Sequence, residues 1–233
     1  MICGWCRICD TVERHSWQEF NCERESELIP NPHPMVPTMV QFVPKEPTVE
    51  SGHSTTKLTY ADYVQIPDDG LRHEIIDGEH YVTPSPSVRH QEISGRLFYS
   101  IQRYLEEHAI GAVFYAPLDA LLGEFDIVVP DLIYISNERS PYLTSKNLQG
   151  PPDLVIEILS PSTARRDQRL KRDLYERTGV QEYWLVDPLR DVIDVYRTQS
   201  SGAFAGPLEY ARTTSLTSPL FPSLQIGLDR IFA

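Results

Sequence analysis

Two apolar runs, each with one carboxylate near its middle, constrain this chain more than any other feature. The first is Asp126-Ile-Val-Val-Pro-Asp131-Leu-Ile-Tyr-Ile135; the second, one long loop later, is Asp153-Leu-Val-Ile-Glu157-Ile-Leu-Ser160. Both read as buried strands, and a charge inside a buried strand costs several kcal/mol unless something pairs with it. Two carboxylates with no strand-borne cation between them suit a hard divalent metal. The pattern points to a site, and to metal-assisted hydrolysis.

The chain has 233 residues, enough for one domain of ordinary size and an extension. Its 21 Lys and Arg against 33 Asp and Glu give a net charge of −12. A protein that coats nucleic acid through its overall field should be basic. Any such contact here must come from a local basic patch or a bound cation. No apolar run approaches the ~18 residues of a bilayer span, and Met1–Asp10 lacks a secretory core and cleavage site. The expectation is a cytoplasmic protein with no membrane partner.

All four cysteines, Cys3, Cys6, Cys9 and Cys22, fall in the first 22 residues, with His15 near them. Zinc or an iron–sulfur cluster could use such ligands. The spacing departs from two separated C-x2-C pairs and from the common ferredoxin run. A poorly ordered leader with reducible thiols is the expectation. Residues 27–56 are rich in Pro, Thr, Ser and Glu without sustained period, as in a linker. The division is therefore a 1–56 Cys/Pro-rich extension and a 57–233 folded domain.

Within that domain Thr59–Gln65 reads as a short helix, stopped by Pro67 and Gly70. Asp77-Gly78 between two β-rich runs signals a hairpin. Ser87 can cap a helix over 88 to about 109, whose Ile93, Leu97, Ile101 and Leu105 share one face. Strands follow at 112–116, 119–122 and 126–135, then a loop over 136–152 and a strand at 154–159. A helix over 164–178, ended by Gly179, leads to strands at 182–187 and 192–196, and the tail 208–232 reads as short strands and turns. The order is mixed α/β (α+β), with a right-handed crossover over 154–187.

The helix at 164–178 carries the sharpest signal. At about 100° per residue, Leu170, Leu174 and Thr178 share a face with Asp167 and Lys171, while Arg165, Arg169, Arg172 and Glu176 lie opposite. A local Asp167–Lys171 pair would be worth only about 0.2–0.5 kcal/mol. The alternative is that Lys171 reaches back to the strand bearing Glu157. Alternation puts Asp131 with Ile133, and Glu157 with Val155. On neighbouring strands the two acids can converge on Mg2+ or Mn2+, which keeps several waters. The ion would activate water and offset charge on a scissile phosphate, with Lys171 positioning or activating the attacking water.

Pro130-Asp131, Glu157 in a hydrophobic strand, and Lys171 resemble the PD-(D/E)XK nuclease superfamily. More narrowly, the chain resembles the Uma-two family of restriction-endonuclease-like proteins. The matching pieces are Glu74-Ile-Ile-Asp-Gly-Glu, Pro84-Ser-Pro-Ser followed by His90, Pro130-Asp131-Leu, Pro152 to Ser162, Lys171 with Tyr175, and Gly179 to Pro188. The resemblance implies a restriction endonuclease-like central mixed sheet flanked by helices, divalent-metal dependence and cleavage of DNA. The superfamily's lysine two residues after the glutamate is Leu159 here; the Uma-two likeness moves it to Lys171. Family members carry an acid at the hairpin, which makes Glu74 a further catalytic candidate beside an ordinary solvent-facing role.

Other residues receive plainer expectations. His90 lies on the apolar face of its helix, as a core histidine bonded to a loop more readily than a catalytic base. Trp184 and Tyr175 read as packing, and Ser160 and Ser162 as caps. Arg165, Arg166, Arg169 and Arg172 beside the site are candidates for the DNA backbone. Two cuts in a duplex would suit a homodimer. The alternatives are a catalytically silent nuclease-like fold used for binding or assembly, and a phosphohydrolase acting on small nucleotides or RNA. No Gly-x-Ser-x-Gly elbow or phosphate-binding glycine loop supports other hydrolase classes.

Overall fold

A computed structural model describes residues 57–160 and 167–233. The cysteine leader, the Pro-rich segment, Ser162, Arg165 and Arg166 lie outside the described residues, and Asp167 is described by its backbone alone.

A short helix α1 (Tyr60–Tyr63) precedes a hairpin of β1 (Arg72–Ile76) and β2 (Glu79–Thr83). Ile76 pairs with Glu79, leaving Asp77 and Gly78 as a two-residue turn with φ of 52° and 80°. Positive φ at both positions is what a hairpin turn matched to strand twist requires. Helix α2 (Val88–Glu107) starts where the Ser87 hydroxyl accepts the His90 N–H at 3.2 Å. Its buried stripe of Ile93, Leu97, Ile101 and Leu105 is the one the four-residue spacing marks.

The strands that follow are β3 (Gly111–Tyr115), β4 (Ala120–Gly123), β5 (Asp126–Val128), β6 (Leu132–Ser136), β7 (Leu148–Gln149) and β8 (Leu154–Ile158). A π-helical turn, Asp167–Lys171, runs into α3 (Arg172–Thr178), which Gly179 ends with φ 87°. Strands β9 (Glu182–Asp187), β10 (Val192–Arg197), β11 (Leu208–Ala211), β12 (Ser215–Leu216) and β13 (Ile226–Gly227) lead to a last turn of helix, α4 (Leu228–Ile231). The six-stranded mixed sheet has the order β11-β10-β9-β8-β6-β3, with only β8–β9 parallel; a five-stranded mixed sheet has the order β2-β1-β5-β4-β7. Among the described residues no helix is long and apolar enough to cross a membrane.

Two sequence expectations need correction. The run 126–135 is not one strand: β5 belongs to the five-stranded sheet and β6 to the six-stranded one, with Val129-Pro130-Asp131 as the passage between them. Pro130 offers no N–H to a ladder and holds its predecessor extended, so pairing lapses there. Leu170, expected to face inwards with Leu174, is 43% exposed. The π turn accommodates an extra residue per turn and rotates Leu170 outwards, while Lys171 and then Tyr175 turn in.

Strand alternation divides the core in two. Leu132, Tyr134, Leu154, Ile156 and Trp184 pack in one cluster with Ile93, Leu97 and Ile101 of α2. Ile133, Ile135, Val155, Tyr183 and Leu185 pack in the other, with Leu174 and Tyr175 of α3. Glu157 projects on the α3 side, between residues that would otherwise be purely apolar.

Candidate active site

Lys171 is the most deeply buried cation described, at 2% exposure, and it lies between two carboxylates. Its Nζ is 2.8 Å from Glu157 Oε1 and 2.8 Å from Glu74 Oε1. Glu74 comes from β1 and is fully buried; the same Oε1 accepts the Val129 N–H at 3.0 Å. Glu157 Oε1 also accepts the Tyr175 hydroxyl at 2.6 Å. Burial, followed by the charges of Glu157 and Glu74, pushes the Tyr175 phenol well above its ordinary range, so it remains a donor. Lys171 and Tyr175 are four residues apart, which aims both at Glu157 from one helical face.

Asp131 stands at the end of the β5–β6 passage. Its Oδ1 accepts Arg72 Nη1 at 2.8 Å; its Oδ2 meets His90 Nε2 at 3.0 Å and the Ile158 N–H at 2.9 Å. Burial alone would raise this carboxyl, but the His90 bond and the Arg72 charge outweigh it and hold it down at about 2. Arg72 is raised in turn: burial opposes its charge, and Asp131, then Glu157 and Glu74, favour it. The guanidinium therefore sits within the field of all three acids. His90 Nδ1 has no hydrogen-bond partner among the described residues.

The two halves adjoin through the sheet. The β6–β8 ladder pairs Leu132 with Ile156, Ile133 with Val155 and Tyr134 with Leu154. The ladder ends one residue short of each acid: Asp131 precedes β6 and bonds His90 of α2, while Glu157 projects to the α3 side, and the Ile158 N–H given to Asp131 links the two. Among the described residues no three His, Cys, Asp or Glu side chains are grouped to share an ion. By donor chemistry alone, Asp131 and Glu157 suit magnesium, which takes one or two carboxylates and keeps water in its remaining positions.

Arg169 is exposed, and Arg172 bonds its neighbour Asp173 at 2.8 Å. Arg72 was not singled out by the sequence, and His90 and Tyr175 were read mainly as packing; all three touch the candidate acids. Arg72 had a signal, since alternation puts it on the same face of β1 as Glu74.

The architecture is that of a nuclease fold. A crystal structure described as "a putative nuclease belonging to DUF820 from Anabaena variabilis" matches with a TM-score of 0.64, covering 75% of this chain and 97% of that one at 22% identity. Residues 60–229 match the family described as "Uma2: Putative restriction endonuclease", and the chain belongs to that family. No curated protein matches it.

Proposed function

We propose that the protein is a metal-dependent endonuclease that hydrolyses phosphodiester bonds of DNA. The observation that carries this reading is the buried Lys171 ammonium, 2.8 Å from both Glu157 and Glu74, on the strand-facing side of the helix after β8. Family membership supports it.

In this reading Asp131 and Glu157 would hold magnesium or manganese. Such an ion supplies Lewis acidity at a phosphate oxygen and acidifies water. Lys171, fixed by two carboxylates, orients the attacking water or lends its charge to the phosphate. Glu74 fixes Lys171, Tyr175 steadies Glu157, and Arg72 with His90 keeps Asp131 ionised. Arg165, Arg166, Arg169 and Arg172 contribute backbone contacts. A second copy would cut the other strand.

A second reading, a silent nuclease-like binding or assembly module, draws on one observation: both Asp131 oxygens already accept donors. Plasmid nicking separates the two. The full chain with manganese should nick supercoiled DNA, and Asp131→Ala and Glu157→Ala should each slow it about 10²–10⁴-fold, the scale for removing a positioned charged group. Undiminished nicking by both variants removes the endonuclease reading, and no nicking by the wild type under any divalent ion favours the module.

A further inference from the structure

Asp131, Arg72 and His90 line a cavity of about 210 Å³ together with two aromatic residues, Phe98 of α2 and Tyr115 of β3. These two rings meet edge to face, 5.0 Å apart at 87°. Tyr115 is 62% exposed, so much of its ring is uncovered, and it lines the same cavity as a candidate catalytic acid. One water needs about 10–15 Å³ of such space, so the cavity has room for many. It admits a single planar heterocycle and is far too small for a base pair with its backbone.

The helical wall of this cavity contains Gly95, in the interior of α2. Glycine there costs about 1 kcal/mol relative to alanine. Packing does not require it: its φ is ordinary, and an added Cβ would meet nothing within 4 Å. A side chain at this position would project into open space at the cavity and at the neighbouring cleft that shares Gln91 and Gly95. That cleft, about 700 Å³, carries Arg96, Arg103 and Arg230 against Glu92 and Glu107, with Tyr99 64% exposed among them. Arginines interleaved with uncovered aromatic faces are the chemistry of single-strand binding, in which bases stack and phosphates follow the cations.

We infer that this cavity receives an unpaired nucleobase of the strand being cut, stacked on Tyr115, and that the substrate is single-stranded or locally opened DNA. The inference rests on the nuclease reading for its substrate but not for its test. In metal-free buffer with EDTA, the full chain should quench a 2-aminopurine placed in a short single strand. It should bind that strand about tenfold or more tighter than the matching duplex. Tyr115→Ala should weaken single-strand binding about tenfold. Gly95→Leu should do the same while raising the thermal midpoint, because leucine is the better helix former. Equal or tighter duplex binding, no binding to either form, or single-strand affinity unchanged in both variants overturns the inference. Manganese-dependent nicking by the same preparations reports separately. Nicking without a single-strand preference defeats this inference alone, and a single-strand preference without nicking defeats the nuclease reading alone.

Discussion

Asp131 stands one residue before β6 and Glu157 lies in the neighbouring β8, yet the protein holds them differently. Glu157 is enclosed with Lys171, Tyr175 and Glu74, all nearly without solvent exposure. Asp131 opens onto a cavity and is held partly by Arg72, whose side chain is 23% exposed. Both acids are buried; the partners of Glu157 are buried with it, whereas Arg72, a partner of Asp131, reaches solvent. The difference teaches that two equally buried acids can be held by partners of quite different exposure.

Substitutions can break or sharpen that contrast. Lys171→Met should have the largest effect on stability, about 3–5 kcal/mol in urea unfolding, because it leaves two buried carboxylates without their shared ammonium. Arg72→Met should cost clearly less, since its side chain keeps some solvent contact and Asp131 retains His90 and the Ile158 N–H. An equal cost at the two positions would erase the contrast. Tyr175→Phe should cost about 1.5–3 kcal/mol, the range for a hydrogen bond to a charged group, with little change in core volume. A loss under half a kcal/mol there would mean that Glu157 is held without the phenol.

The smallest effect expected is on the acid limb of the metal-free protein. Against burial, which raises it, the His90 bond and the Arg72 charge hold the folded Asp131 carboxyl down at about 2, below its ordinary 3.8. A depressed carboxyl contributes stability that is complete above its unfolded value and disappears as pH falls through the folded one. Circular dichroism between pH 4 and 2 should therefore show wild type losing stability more steeply than Asp131→Asn. Parallel curves would assign the acid sensitivity elsewhere.

What could be read in the sequence follows from which forces are local. The α2 stripe and the Asp77-Gly78 turn were legible because a helical period and a positive φ are local requirements. The family pieces around Asp131, Glu157 and Lys171 were legible as an ordered set. The break at Pro130 had a local signal too, since a proline inside an apolar run argues against one continuous strand, and reading 126–135 as a single strand passed over it. Leu170 failed because facial arithmetic assumes a uniform helix, and a π turn resets the count. The partners Arg72 and His90 lie 59 and 41 residues from Asp131, and no sequence period reports such a meeting.

The Ile158 N–H donated to Asp131 Oδ2 ties one acid to the main chain of the strand that bears the other. Their separation is thus yoked to backbone register and not left to side-chain choice. Moving one acid relative to the other would call for an inserted or deleted residue in β6 or β8; exchanging neighbouring side chains would change the polarity around them and leave the register alone.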